Sequence, residues 1–324
     1  MRHASLTAAV EARVADGRPG REYAGLSALY RSGAATPVAT GAAEALAYAA
    51  VRAPATGAAT TRVLAELARR RPGWSPDSLL DLGSGPGTGL WAAAEAFPGL
   101  AEVTAVERSP AFAALGRELA EDAAASQVRA ARWLSTGLPA DPGTPLPRAD
   151  LVLSAYLLVE LDPRVAEQVV AQAWDAATDT LVLVEPGTPQ GFSRILAART
   201  WLLRAGAGLL APCPTPAPCP LAAGPSWCHF AVRLPRTSVH RAAKRASLPF
   251  EDEKHCYVVA TRTPMAADAP RLLAMPAVRK GHVLLRLCTA PTVTQQTVAR
   301  SAGPDYRRAR DLVWGDTVRL ADPT

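Results

Sequence analysis

The chain has 324 residues, 49% hydrophobic and 20% charged, an ordinary globular balance with room for a full-sized core plus extensions or for two domains. No uninterrupted apolar run reaches the roughly 18–20 residues that span a bilayer, which excludes a helical membrane protein. The N-terminus MRHASLTAAVEARVADG carries Glu11 and Asp16 where a secretory signal has a continuous apolar segment. The expectation is a cytoplasmic chain in a reducing compartment, with no membrane partner and no structural disulfides, and five is also an odd number of cysteines. Arginine far outnumbers lysine, as a GC-rich genome alone produces. The net charge of +6 is uneven: residues 1–228 hold 19 Lys/Arg against 21 Asp/Glu, whereas residues 229–324 hold 16 against 8 and all three lysines. A basic third on a nearly neutral body suits a polyanion such as nucleic acid; a solvated, arginine-rich tail is the plain alternative.

Residues 1–76 show helical spacing in LSALYRSG (26–33), EALAYAAV (44–51) and VLAELARR (63–70), broken by Gly and Pro turns, and read as a helical extension. VRAPATGAA (51–59) brings Arg52 towards a cleft or buries it as a structural arginine. SLLDLGSGPGTGLWAAAEAF (78–97) then reads as a buried strand, a glycine turn and a helix that Thr88 is suited to cap. In DLGSGPG (81–87) side chains are nearly absent, so backbone approaches a ligand closely. EVTAVE (102–107) is a second strand ending in Glu107, placed to accept hydrogen bonds from both hydroxyls of a ribose. The turn lacks the third glycine of a dinucleotide site, where Thr88 stands, and no GKS or GKT cradles a phosphate; a ribose ligand without pyrophosphate fits better. The alternation continues with a helix near 110–123, strands 131–135 and 149–156, a helix near 163–177 and strand 180–186. Strands 230–235 and 255–262 flank a helix over 238–247. Seven strands alternating with helices predict a mostly parallel α/β sheet covered on both faces.

In DLGSGPG and the acid at Glu107 the chain resembles the class I S-adenosylmethionine-dependent methyltransferases, which have a Rossmann-like fold. The resemblance implies that Gly83, Gly85 and Gly87 line the methionine and ribose end of the cofactor, with Asp81 and Ser84 organising the turn. ADLVLSAY (149–156) sits where that fold delivers substrate-side residues. Amine methylation there normally needs a polar tetrapeptide with prolines and an aromatic, but Ser154-Ala155-Tyr156-Leu157 stands in its place. Methylation of pyrimidine carbon needs a nucleophilic cysteine, and none ends strand four or five. The candidates that remain are Tyr156, Glu160 and Glu185, and no residue is recognisable as catalytic.

Three of the five cysteines fall in APCPTPAPCPLAAGPSWCHF (211–230). In a reducing compartment such concentration favours a metal over a bridge. The six- and nine-residue spacings exceed the two to four of a zinc ribbon, and proline directly after cysteine is a feature of some iron–sulfur runs. Cys256 and Cys288, the latter ending strand HVLLRLC (282–288), compete as the fourth ligand. Taken with VRAPATGAA, FEDEKHCYVV (250–259), LLRLC (284–288) and WGD (314–316), the chain is similar to the mitochondrial small-ribosomal-subunit methyltransferase-like family and its bacterial relatives, over nearly its whole length. The resemblance implies a 4Fe–4S cluster on Cys213, Cys219, Cys228 and Cys288, with zinc as the alternative metal and Cys256 a strand cysteine. It also implies a partner, the small ribosomal subunit or its rRNA, engaged through rRNA methylation or subunit assembly, by a chain monomeric when free. A catalytically inactive assembly factor with structural or sensory cofactors is the alternative. The family usually has histidine and acid between the first two cysteines and a glycine turn after the last; here stand Thr215, Pro216 and Ala217, and Ala290, Pro291 and Thr292. The candidate RNA contacts are Arg236, Lys244, Arg245, Arg307, Arg308 and Arg310, with Tyr306 and Trp314 available to stack on bases. The domains expected are a helical extension (1–76), a methyltransferase-like domain (77–263) with a Cys-rich insertion (209–229), and a basic C-terminal extension (264–324).

Overall fold

The computed structural model describes residues 5–16, 41–141, 145–244 and 246–320. The LSALYRSG segment and Arg245 lie outside them. The chain divides into two compact units, residues 1–184 with 232–253, and residues 185–231 with 254–324.

In the first unit, helices α1 (Leu6–Asp16) and α2 (Ala42–Arg70) precede strand β1 (Ser78–Leu82). Helix α3 (Thr88–Ala96), β2 (Glu102–Val106), α4 (Pro110–Glu121), α5 (Ser126–Arg129) and β3 (Arg132–Leu134) follow, then β4 (Ala149–Ala155), α6 (Pro163–Ala176) and β5 (Ala177–Pro186). The strands run parallel in the order β3-β2-β1-β4-β5, with Leu80 between Thr104 and Val152. Leu79, Leu80, Leu82, Leu151, Val152 and Leu153 are all at most 1% exposed, as strands covered on both faces require.

The stretch read as helices broken by turns is one 29-residue helix, α2, which runs straight through Pro54. Proline inside a helix removes one backbone bond and crowds the preceding turn, at about 3 kcal/mol. Here a buried face offsets that cost: Ala45, Ala49, Val51, Ala55, Ala59, Val63 and Leu67 are buried, and α2 packs against α1, α3 and α4. The Thr60 hydroxyl, donating to the Thr56 carbonyl at 2.8 Å, adds a local tie just past the proline. Beyond its end, Arg71 bonds Asp179 and Thr180 of β5 while its guanidinium lies 4.5 Å from the Trp74 ring.

From Glu185 the chain enters the second unit through α7 (Pro189–Arg204) and β6 (Gly208–Ala211); along β7 (Phe230–Pro235) it returns to the first unit, which holds α8 (Ser238–Lys244), and β8 (Phe250–Thr261) begins in the first unit and ends in the second. β6 pairs antiparallel with the end of β8, Leu209 opposite Ala260. Among the described residues the strands form an eight-stranded and a four-stranded sheet, and the larger is mixed. The expected count of seven omits β6. Its four residues, GLLA, directly after a helix, are too short for period-two alternation to register. The small sheet holds β9 (Arg271–Leu272), β10 (Ala277–Arg279), β11 (His282–Cys288) and β12 (Val293–Ala299), all antiparallel pairs. Val283, Leu285 and Leu287 alternate inwards onto Leu272, Val298, Val318 and Ala309 of helix α9 (Pro304–Asp311). Among the described residues no helix is long and apolar enough to cross a membrane.

Replacing Pro54 by Ala restores the missing backbone bond without touching the buried face. Pro54→Ala is expected to stabilise the protein by roughly 1–3 kcal/mol in urea unfolding; an unchanged or lower midpoint would show that the packing of α2 requires the proline.

Candidate functional sites

The turn after β1 passes through Gly83, Gly85 and Gly87 at φ of 70°, 55° and 89°, a sequence of left-handed residues that glycine adopts without steric cost. The amides of Gly83 and Ser84 both donate to the Val106 carbonyl, at 2.9 and 3.1 Å, folding the turn over the end of β2. That closure sets Glu107. Its Oε2 accepts from the Gly85 amide at 2.8 Å and its Oε1 from the Ser109 amide at 2.7 Å. The carboxylate lines a cleft shared with Tyr48, Arg108, Phe112, Leu138 and Tyr156, and each oxygen retains capacity for one further donor. A Cβ placed on Gly85 would meet nothing within 4 Å, so this residue faces open cleft. Gly87, not Thr88, is the N-cap of α3, and no side chain caps that end.

Asp81 lies behind the turn, 2% exposed, with Oδ2 accepting from the Ser84 hydroxyl at 2.8 Å. Burial pushes its pKa up to about 7, against the lowering effect of the Ser84 bond, with the Glu107 charge adding to the rise. Gly89 makes room for it, because a Cβ there would stand 2.5 Å from Asp81 Oδ2. In the sequence Gly89 is marked only as a glycine inside the first turn of a helix, where alanine is otherwise favoured.

Tyr156 follows β4 at φ 61°, a conformation that costs a bulky residue of order 1–3 kcal/mol and tends to cluster at functional sites. Its amide donates to Val184 at 2.7 Å and its hydroxyl to Glu253 Oε1 at 2.9 Å. The Arg52 guanidinium lies 5.9 Å from its ring centroid. Tyr48, beside it in the cleft, is pushed up to about pKa 12, chiefly by burial.

In the second unit, Cys213, Cys219, Cys228, Cys256 and Cys288 line one largely apolar cavity, and all five are free thiols. Burial, and then the neighbouring sulfurs, push Cys228 well above the ordinary thiol value; burial also raises Cys219 and Cys288. Cys256 differs, because its sulfur contacts the carbonyls of Pro186 and Glu185 at 3.2 and 3.7 Å. Among the described residues no three His, Cys, Asp or Glu side chains are grouped closely enough to hold a single metal ion. The loop that carries the first three cysteines is tied down at intervals. Trp227 Nε1 donates to Gly187 at 2.8 Å, the Asp268 amide to Pro214 at 2.8 Å, and Arg271 Nε to Pro212 at 2.9 Å. Arg271 also reaches Gly315 at 2.6 Å and sits opposite Cys288 across the β9–β11 pair. The WGD stretch is thereby a turn on β9: Asp316 Oδ2 accepts from the Val313 amide, and the Asp316 carbonyl accepts from the Leu272 amide. His229 is sandwiched by Trp227 and Trp314, at 5.3 and 4.8 Å between ring centroids. Two residues after Cys288, Ala290 takes φ 23°, on the glycine-favoured side of zero.

The basic residues separate into two groups. Arg236 and Lys244 both contact Glu251, at 2.8 Å each, in the first unit, where they neutralise a largely buried carboxylate. Arg307, Arg308 and Arg310 stand exposed on α9; Arg308 is 3.5 Å from Asp305 and Arg310 lies 5.9 Å from the Tyr306 ring centroid. Tyr306 itself is partly buried against the small core.

The profile of the family described as mitochondrial small ribosomal subunit Rsm22 matches residues 42–319. The human ribosome assembly protein METTL17, mitochondrial, is 30% identical over 303 residues, covering 86% of this chain and 63% of that protein. The Rsm22-cox11 tandem protein 2, mitochondrial, of Schizosaccharomyces pombe is 27% identical over 300 residues, covering 75% of this chain and 38% of that one. The chain thus spans less than two thirds of either relative. Among solved structures, magnesium protoporphyrin IX methyltransferase from Synechocystis with bound SAM is similar at 12% identity and a TM-score of 0.41, over 64% of this chain and 80% of that one. A putative RNA methyltransferase from Pyrococcus horikoshii gives 13% and 0.39 over 62% and 80%. The fold assignment rests on the strand order and the glycine turn themselves.

Asp81 gives the cleft a pH signature. Between pH 3.8 and about 7 the unfolded chain has released this proton and the folded chain has not, so unfolding gains ground as pH rises. The stability of Asp81→Asn relative to the parent is therefore expected to increase from about pH 4 to pH 7 and then level off. A difference that does not vary over that window would contradict the buried, protonated Asp81.

Proposed function

Because the chain belongs to the mitochondrial small ribosomal subunit Rsm22 family, we propose that it is an S-adenosylmethionine-binding, iron–sulfur-containing protein that acts on the small ribosomal subunit or its RNA. The observation that carries this reading is the continuous family match over residues 42–319, which takes in the cleft, the cysteines and the basic C-terminal helix together. A human relative is named a ribosome assembly protein, and assembly is the role taken over here.

The cleft suits the cofactor. Glu107 keeps one acceptor site on each oxygen for a ribose diol, Gly85 leaves space for the ligand, and Phe112 with Leu138 offers apolar walls for an adenine. Asp81 and Ser84 shape the turn from behind, and Gly83 and Gly87 complete it. For the metal, Cys213, Cys219, Cys228 and Cys288 are the ligands favoured, with Cys256 engaged by carbonyls of the Glu185–Pro186 segment. What supports a metal is the donor set, since four cysteines besides Cys256 line one cavity; zinc, which takes four such ligands, is the alternative to the cluster. A 4Fe–4S cluster would supply metal–thiolate bonds that clamp the 212–229 loop to β11, converting binding free energy into folding free energy. Exposed Arg307, Arg308 and Arg310 suit phosphate contacts, whereas Arg236 and Lys244 have Glu251 as their partner.

One observation favours the alternative of an assembly factor without methyl transfer. Tyr156, at the place after β4 where catalytic groups stand, gives its hydroxyl to Glu253. In a strain lacking the chain, gradient sedimentation is expected to show small-subunit precursors, cleared by the parent chain but not by Cys228→Ser. An unchanged subunit profile would overturn the proposal. Gly85→Asp, placing a carboxylate in the cleft, is expected to weaken S-adenosylmethionine at least 100-fold by calorimetry. Clearance by that variant supports the assembly factor, and failure with loss of an rRNA methyl group supports the enzyme.

A further inference from the structure

Arg199 on α7 is 6% exposed and lines the cysteine cavity. Its Nε donates to Cys213 Sγ at 3.3 Å, and its Nη2 to the carbonyls of Ala217 at 2.6 Å and Thr215 at 3.4 Å. Among the described residues no carboxylate pairs with it. Arg271, 2% exposed, lines the same cavity, oriented by the carbonyls of Pro212 and Gly315. The cavity wall contains no aspartate or glutamate.

A guanidinium stays charged at any pH of interest, and burying it without an anion is costly. Carbonyl dipoles satisfy its N–H groups but carry no net charge. The anions this wall is able to supply are thiolates, and the residue Arg199 touches is one of the four proposed ligands. Hydrogen bonds to ligand sulfur and local net charge are the levers that set the potential and retention of an iron–sulfur centre.

We propose that Arg199 is the counter-ion of the cysteine site: it donates to the Cys213 sulfur and offsets charge on the four thiolates, raising the reduction potential of the cluster and holding it in place. The inference rests on the iron–sulfur reading given above. Four thiolates on a doubly positive cluster core leave two net negative charges, and one electron taken from an electrode makes three. Each step towards greater negative charge is opposed by the apolar wall and favoured by the guanidinium. Arg199 is thus a positioning residue, acting through a ligand.

The test uses the full chain purified without oxygen, as the parent, Arg199→Gln and Arg199→Lys. Iron and sulfide are assayed first, and the midpoint potential is then read by spectroelectrochemistry. Arg199→Gln is expected to take up the electron at least tenfold less favourably, about 59 mV more negative, with Arg199→Lys recovering most of the shift. Loss of the cluster from Arg199→Gln but not from Arg199→Lys also supports the proposal. An iron- and sulfide-loaded Arg199→Gln protein at the parent potential overturns it. Loss from both variants assigns Arg199 a structural role and overturns it as well. Absence of iron and sulfide from the parent sinks the iron–sulfur reading itself, a result visible before any potential is measured, and removes the proposal with it.

Discussion

Thiols and guanidinium groups share one apolar cavity in the second unit, and desolvation governs both. It drives the thiols of Cys219, Cys228 and Cys288 towards their neutral form, while the guanidinium groups of Arg199 and Arg271 stand in the same wall. Such a cavity is balanced when its sulfurs become anions, and thiolate binding to a metal is the chemistry that does this at neutral pH. The core under β11 is small, built on Leu272, Val283, Leu285, Leu287, Val298, Ala309 and Val318. The proline-rich loop has little regular structure, and its ties run through Arg271 to the WGD turn and through Trp227 to Gly187. A small core with a long irregular loop is a setting in which a metal contributes substantially to folding.

The first unit meets desolvation differently. Glu107 receives two amide hydrogen bonds, which compensate a carboxylate at 8% exposure, and it remains available to a ligand. Asp81, three residues before Ser84, has its hydroxyl as a partner and is driven towards the neutral form. Two carboxyl groups flanking one glycine turn thus have separate tasks: one faces the cleft, the other supports the turn. The left-handed glycines make both possible by letting the backbone, and not side chains, form the floor.

The parts of this architecture legible in the sequence are those with strong local signals. FAVRLP and HVLLRLC form strands with the bounds their alternation implies, and DLGSGPG announces its own turn. What local pattern does not carry was missed. Pro54 reads as a break because its cost is local, whereas the burial that offsets it comes from neighbouring helices. β6 is too short to display a period, and β9, β10 and β12 are short or polar strands defined by pairing with β11. At the candidate sites, the clustered cysteines and the acid at the end of β2 stand out in the sequence by residue type and position. Arg199 and Arg271 do not, because arginine is abundant throughout and burial is a property of the fold. Arg236 and Lys244, whose place in a basic run suggested RNA contact, also reach Glu251, a pairing that residue type and spacing do not show.

The metal proposed for Cys213, Cys219, Cys228 and Cys288 would supply folding free energy to the second unit. Scanning calorimetry of the protein purified without oxygen, before and after chelation of its iron, tests it most directly. Chelation is expected to lower or abolish one unfolding transition, assignable by proteolysis to residues 185–231 and 254–324, and to leave the transition of the first unit in place. Superimposable thermograms before and after removal of bound iron, or a protein that never contained any, would contradict it.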